Sequence, residues 1–308
     1  MLIDELITVM RKHVQKRLWV ISDLQQNRPE RATKCMTTAV SDFMNLELPV
    51  DAVCYLGDAT EGNNLHFIRK MTEMQQRELA RIDAPVYYTV GNHDFDYFRA
   101  NCRTNGAMCL PFVEYMRQFP QWRLPDSISD MAYRVDFDEF VAYFLTDHAD
   151  PEGRWYTSHG EIRGNAQAYP YTAEDYRNLM NQIREEGKSV ITFSHYSFAG
   201  GNRAAPLFDR FMPLPDNLRM HFYGHAHIGD HVWAGKDCYR KISCVDGQPI
   251  MQVDVASLES GRGSAIRSAV VEWYDTHEIG VFFRNHLRHC WDDLLVVREG
   301  EGERTELY

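Results

Sequence analysis

Long apolar runs are missing from this sequence. No stretch approaches the ~18 consecutive apolar residues of a membrane span. Met1 to Val14 carries Asp4, Glu5, Arg11 and Lys12 among its apolar positions, which a secretory leader would not. The expectation is a cytoplasmic protein with no membrane partner. Cysteine is sparse and poorly spaced: Cys35, Cys54, Cys102, Cys109, Cys238, Cys244 and Cys290 make an odd number with no Cys-x-x-Cys pair. Neither a disulfide framework nor a thiolate zinc site is indicated. Positive charge is in deficit, with 33 Lys and Arg against 44 Asp and Glu and a net charge of −11. That excess repels a polyphosphate backbone and no basic run offsets it, so polymeric nucleic acid is not expected as a partner. A small phosphorylated substrate remains open to such a chain if bound divalent cations make the site itself positive.

Internal repeats and low-complexity linkers are also lacking, and the 308 residues, 44% of them hydrophobic, are read as a single domain over 1–308 with a sizeable core. Arg17 to Ile21, Ala52 to Leu56 and Val86 to Val90 are short apolar runs that predict buried strands. Between the first two, Ala32, Cys35, Met36, Ala39, Val40, Phe43 and Met44 recur at helical spacing, and Leu65, Ile68, Met71, Thr72 and Leu79 predict a second helix. The alternation implies a parallel sheet. Pro111, Pro120 and Pro125 break the pattern, so the stretch near 95–130 is read as an insertion. Ala132 to Val135 and Phe140 to Thr146 read as a hairpin. Thr172 starts a helix with the stripe Tyr176, Leu179, Met180 and Ile183, and Val190 to Phe193 and Met220 to Tyr223 are further strands. From His231 onward only strand signals occur (His231 to Ala234, Tyr239 to Val245, Ile250 to Val255, Ile266 to Tyr274, Glu278 to Phe283). They read as a mainly antiparallel sheet packed on the first, and the charged tail after Asp292 carries no signal.

The chemistry is signalled by the residues at the strand ends. Ser22-Asp23-Leu24-Gln25, Gly57-Asp58-Ala59-Thr60-Glu61, Gly91-Asn92-His93-Asp94, Ser194-His195 and Gly224-His225-Ala226-His227 each close a predicted strand. In an open α/β sheet the carboxyl ends share an edge where ligands bind, so these distant residues can converge. Carboxylate, amide and imidazole donors without thiolate suit Mn²⁺, Fe²⁺ or Zn²⁺. Two such ions about 3.5–4 Å apart, sharing a carboxylate, would activate a bridging water and clamp an in-line phosphoryl displacement.

These five blocks, in this order from Arg17 to His227, resemble the signature of the calcineurin-like metallophosphoesterases. The resemblance implies an α/β fold, a four-layer sandwich of two mixed central β-sheets flanked by helices. It implies that Asp23, Asp58 and His227 hold a first metal, and that Asp58 bridges to a second held by Asn92, His195 and His225. It makes His93 the proton donor or phosphate-orienting group, with Asp94 as a neighbour that orients it. Hydroxide between the metals would attack phosphorus in line.

One position departs from the family pattern: the first motif ends in Gln25 rather than His. Gln25 either offers its carbonyl oxygen to the metal or hydrogen-bonds to a ligand. The change favours Mn²⁺ and resembles the ADP-ribose/CDP-alcohol pyrophosphatase branch, which points to a small nucleotide-like diester or pyrophosphate. A phosphomonoesterase and a non-catalytic metal-binding scaffold for a protein partner are the alternatives, and the retained His93 argues against the scaffold. Glu61 reads as a cap for the loop or helix after Asp58. Arg154, His159, Arg163, Asn202 and Arg203 are candidate phosphate or base contacts. Trp155, Tyr156, Tyr169 and Tyr171 read as packing residues, and Gly261-Arg262-Gly263 as a turn.

Overall fold

The structure is a computed structural model that describes residues 13–26, 28–61, 64–101, 110–126, 130–146, 154–156, 162–164, 173–197, 214–227, 240–245, 248–260, 265–298 and 301–307. The chain runs through β1 (Val14–Ile21), α1 (Pro29–Asn45), β2 (Ala52–Tyr55), α2 (Leu65–Leu79) and β3 (Val86–Tyr88) into a 3₁₀ turn (His93–Phe95). It continues with α3 (Asp96–Asn101), α4 (Pro111–Met116), β4 (Trp122–Arg123), β5 (Ala132–Asp136), β6 (Phe140–Leu145), β7 (Arg154–Tyr156) and β8 (Ile162–Gly164). Next come α5 (Ala173–Glu185), β9 (Ser189–Phe193), β10 (Leu218–Tyr223), β11 (Arg240–Val245) and β12 (Gln248–Asp254). The last strands are β13 (Arg267–Tyr274), β14 (Ile279–Asn285), β15 (Cys290–Arg298) and β16 (Glu301–Leu307).

Alternation along β1 builds the layers. Successive side chains of a strand point to opposite faces. Trp19 and Ile21 join the cluster that contains the α1 stripe (Ala32, Cys35, Met36, Ala39, Val40, Phe43), while Leu18 and Val20 join Phe140, Phe144, Phe193 and Phe222 of the other sheet. Each fully buried large apolar side chain is worth about 1.5–3 kcal/mol, and the Trp19 ring stacks on Phe43 at 4.3 Å. Val141, Tyr143 and Val190 point away from the sheet interface and share a cluster with Tyr176, Leu179, Met180 and Ile183 of α5. The result is helices, an eight-stranded sheet, a six-stranded sheet, and helix again.

The eight strands run β16-β15-β14-β13-β1-β2-β3-β4 and the six run β11-β12-β10-β9-β6-β5, with β7 and β8 forming a separate pair. β1 to β4 are parallel, as the strand–helix alternation predicts. The C-terminal strands correct the sequence reading, because they form no sheet of their own. β13 pairs antiparallel with β1 (Trp19 opposite Val270) and β14, β15 and β16 extend the first sheet, whereas β11 and β12 join the second. The tail after Asp292 therefore completes β15, which is paired on both sides, and forms the edge strand β16. Part of the 95–130 stretch belongs to the first sheet, since β4 pairs with β3, and Trp122 and Phe112 lie in the helix-side cluster. The expected strand at His231 to Ala234 and the Thr172 helix start lie outside the described residues. Among the described residues no helix is long and apolar enough to cross a membrane.

A buried polar network ties α1 to β13, β14 and the turn that follows them in the first sheet. Asp42 accepts two hydrogen bonds of 2.8 Å from Arg284, one of 2.8 Å from His286 Nδ1 and one of 2.6 Å from His289 Nδ1. His286 Nε2 lies 2.7 Å from Ser268 Oγ, which accepts from the Trp19 indole at 2.8 Å. Burial pushes the Asp42 carboxyl upward, but the Arg284, His286 and His289 hydrogen bonds win and hold it well below the usual carboxylate range. A depressed folded-state value stabilises the fold at pH above the unfolded value of about 3.9, and the contribution is lost as pH falls from there toward the folded value. Asp42→Ala leaves Arg284 buried without its partner and is expected to cost about 3–5 kcal/mol. The urea midpoint at pH 7 checks the loss, and the gap between the two proteins should narrow as pH drops below the carboxylate range.

Candidate metal centre

The carboxyl ends of β1, β2 and β3 in one sheet and of β9 and β10 in the other open onto a common edge, and their loops are stitched together by backbone hydrogen bonds. Asp23 N–H donates to Gly57 O at 3.1 Å, Gln25 N–H to Asp58 O at 3.0 Å and Gly224 N–H to His195 O at 3.2 Å. His225 N–H donates to Asp23 Oδ2 at 2.8 Å, which joins the two sheets directly. Two glycines make the approach feasible. A Cβ on Gly91 would collide with the backbone nitrogen and Oδ1 of Asp58, and one on Gly224 would collide with the Ser22 hydroxyl.

The backbone is strained where the ligand-type residues sit. Asp23 (φ 56°), Asp58 (φ 53°), His225 (φ 67°) and His227 (φ 46°) are all left-handed. Such conformations cost non-glycine residues about 1–3 kcal/mol each and persist where the surroundings over-determine them, often at functional sites.

Two groups of donor atoms converge and share Asp58. Asp58, His195 and His225 offer atoms within 4.8 Å of one another, and so do Asp23, Asp58 and His227. In the first group Asp58 Oδ2 lies 3.2 Å from His195 Nε2, which is 3.0 Å from Asn92 Oδ1 and 3.2 Å from His225 Nδ1. His195 donates Nδ1–H to Leu56 O at 2.7 Å, which aims Nε2 into the cluster. In the second group His227 Nε2 lies 3.1 Å from Asp23 Oδ1, and the Gln25 side-chain nitrogen lies 2.7 Å from the same Nε2.

The residues fit a pair of cations. Asp23 Oδ1, Asp58 Oδ2 and Gln25 Oε1 are buried and accept no hydrogen bond, although nitrogens stand close to both carboxylates. Buried polar atoms normally find partners, and donors aimed at a common centre are the arrangement a cation needs. The field of the site points the same way. Burial alone would lower His195, but Asp58 and Asp23 raise it to about 10. Burial and the neighbouring His195 charge push His225 down to about 3. Asp58 and Asp23 stay below the usual carboxylate range despite burial, held there by facing histidines. A pocket that draws a proton this strongly onto one of two touching imidazoles draws a divalent cation as well.

His93 is buried, donates its backbone N–H to Asp58 Oδ1 at 2.7 Å, and donates Nδ1–H to Asp96 Oδ2 at 2.8 Å. Burial lowers its pKa, but Asp58 and Asp96 outweigh it and raise it to about 9. The carboxylate that orients His93 is therefore Asp96, not Asp94. Asp94 instead clasps the loops after β2 and β3, its Oδ2 accepting from Tyr88 OH at 2.5 Å, Gly91 N–H at 2.7 Å and Asp58 N–H at 3.1 Å. Burial first, and Asp58 second, raise it to about 7. Asp96 stands one helical turn after His93, and that i, i+3 spacing was the signal available in the sequence.

The N-cap of α2 is Asn64 rather than Glu61; it accepts from His66 N–H at 2.8 Å and Phe67 N–H at 3.3 Å. His159, Tyr169, Tyr171, Asn202, Arg203 and Gly261-Arg262-Gly263 lie outside the described residues, and Arg154, Trp155, Tyr156 and Arg163 are described only as backbone of β7 and β8. Asp58→Ala is expected to abolish binding of both cations and His225→Ala to leave one, read as stoichiometry in a Mn²⁺ titration followed by electron paramagnetic resonance.

A search of curated proteins finds no match. Among solved structures the chain is similar to a purple acid phosphatase from yellow lupin (Lupinus luteus) seeds, with 11% identity and a TM-score of 0.56 over 94% of this chain and 54% of that one. The chain thus spans about half the length of the lupin protein; at this identity the likeness is one of fold. It also aligns with a hypothetical protein from Pyrococcus horikoshii at 11% identity and a TM-score of 0.41, over 88% of each chain. Residues 16–229, from β1 through all the ligand-type residues, match the calcineurin-like phosphoesterase family. The chain belongs to that family of metal-dependent phosphoesterases.

Proposed function

We propose that the chain hydrolyses a phosphoester or phosphoanhydride bond in a small phosphorylated substrate, using two divalent cations. Asp23, Asp58 and His227, with Gln25, would hold one; Asp58, Asn92, His195 and His225 would hold the other. The observation that carries this reading is the pair of converging donor groups that share Asp58. When bound, such a pair lowers the pKa of a coordinated water and neutralises charge developing on phosphoryl oxygens.

The chain's own residues do the rest. Asp58 is held by the His93 backbone amide, so the shared carboxylate and the candidate proton donor are fixed to each other. His93 carries a proton on Nδ1 toward Asp96, and its other nitrogen serves the leaving oxygen as general acid. Asp94, below them, keeps the Asp58 and Gly91 loops in register.

Within this class we favour a nucleotide-like diester or pyrophosphate, supported by the amide of Gln25 beside His227, and Mn²⁺, supported by a donor set without thiolate. The net charge of −11 supports a small substrate over a nucleic acid polymer. We place the protein in a reducing compartment such as the cytoplasm, where the free thiols of Cys35, Cys54 and Cys290 are at home.

Mn²⁺-dependent hydrolysis of an aryl monoester, an aryl diester, ADP-ribose, CDP-alcohols and cyclic nucleotides, followed as the aryl alcohol or nucleoside monophosphate formed, tests the reading. Preference for the pyrophosphates or diester is expected; preference for the monoester would replace the finer assignment with a phosphomonoesterase. His93→Ala should keep both cations and lose about 10²–10⁴ in kcat, and Asp96→Asn should lose less. Full activity of His93→Ala on a substrate with a poor leaving group would remove His93 as proton donor.

A further inference from the structure

The loop after β12 returns to the metal edge from outside the family-matched stretch of residues 16–229. Val255 N–H donates to Tyr223 O at 2.9 Å, Leu258 N–H to Ser22 O at 2.9 Å and Glu259 N–H to Asp23 O at 3.0 Å, so the loop is tied to the ends of both β10 and β1. Ala256 is held at φ 63° with its N–H on Asp254 Oδ1 at 2.8 Å. A left-handed alanine is a cost the surroundings must offset. Ser260 is fixed as well, its carbonyl accepting from Gln26 at 3.3 Å and its hydroxyl 3.2 Å from Cys35 Sγ. The loop is thus a built part of the edge, and it delivers one carboxylate, Glu259, only 2% exposed.

Glu259 Oε1 stands 3.7 Å from His227 Nδ1, on the opposite side of the ring from Asp23 and Gln25. His227 Nδ1 is buried and makes no hydrogen bond. We infer that Glu259 is a positioning residue for His227, forming a carboxylate–histidine pair behind one cation site. This rests on the metal centre proposed above.

The reason is tautomeric. A histidine that lends its Nε2 lone pair to a cation carries its proton on Nδ1, and that buried N–H needs a negative neighbour. At 3.7 Å Glu259 supplies it as a charge contact rather than a hydrogen bond. It favours the Nδ1–H tautomer, which leaves the Nε2 lone pair facing Asp23 and Gln25. The site has particular need of this, because Gln25 contributes an uncharged amide beside His227. Asp23, Asp58 and His227 must then supply most of the binding.

The test is a Mn²⁺ titration of the metal-stripped full chain, followed by electron paramagnetic resonance, on the unaltered protein, Glu259→Gln, His227→Ala and the double variant. Glu259→Gln is expected to weaken one of the two sites by about 10–100-fold, leave the other site alone and keep the thermal midpoint of the stripped protein. In the His227→Ala background the same change should have no further effect, because Glu259 acts through His227. Unchanged affinity at both sites, or an equal loss with His227 absent, would overturn the inference. Should Glu259→Gln lower the stripped protein's midpoint, the same cycle run with Glu259→Asp decides. An unaltered chain that binds no Mn²⁺ would overturn the metal centre itself, an outcome distinct from a failure confined to Glu259.

Discussion

Asp23 and Asp58 bring two negative charges to a place with no exposed surface, and the structure around them is organised by the need to compensate those charges. Moving a carboxylate out of water costs several kcal/mol even after relaxation. The chain adds to that cost by holding both residues in left-handed backbone. Hydrogen bonds to the carboxylates recover part of it: His93 N–H serves Asp58 and His225 N–H serves Asp23. The remaining oxygens, Asp23 Oδ1 and Asp58 Oδ2, face imidazole nitrogens at 3.1 and 3.2 Å without a hydrogen bond. Such an arrangement has the donors that a positive ligand needs.

The support needed to hold it reaches far into the molecule. The loops after β2 and β3 touch through Gly57 and Gly91, and Asp94 pins both. The two sheets must be in register at their carboxyl ends for His195 and His225 to meet Asp58. That register rests on the aromatic and aliphatic packing between them, in which Tyr87 of the first sheet stacks on Phe144 of the second at 5.3 Å and Trp273 of the first meets Phe140 of the second at 5.0 Å. On the other face of the first sheet, Trp19 connects the first strand to the Asp42 network through Ser268 and His286. Strain at the site is tolerable because neither sheet can shift alone.

The features legible in the sequence were local. Runs such as Leu18 to Ile21 and the stripe from Ala32 to Phe43 declare strand and helix by their own periodicity, and Gly91-Asn92-His93 or Gly224-His225-Ala226-His227 declare chemistry within four residues. The features that were not legible depended on distant pairing or on choosing between near neighbours. β13 to β16 look like any antiparallel strands, and only the pairing of β13 with β1 assigns them to the first sheet. Asp94 and Asp96 are both carboxylates close to His93. Adjacency favours the first, yet the turn at His93–Phe95 carries Asp94 down toward Tyr88 and brings Asp96 round to the imidazole. Glu259 carried no motif, because its meaning comes from the loop's hydrogen bonds to β1 and β10.

The division of labour between these carboxylates depends on what a cation does to each. In the cation-free site His93 owes its raised pKa to Asp58 and to Asp96 together. Divalent cations beside Asp58 would neutralise that carboxylate and oppose a proton on His93. Asp96 belongs to neither donor group and contacts Nδ1 directly at 2.8 Å, so its share survives loading. A general acid is most effective with a pKa near the working pH. With the proposed cations bound, a histidine still supported by Asp96 would be brought down from about 9 toward that range. Had the orienting carboxylate been Asp58 itself, loading the site would have removed the support and the proton together.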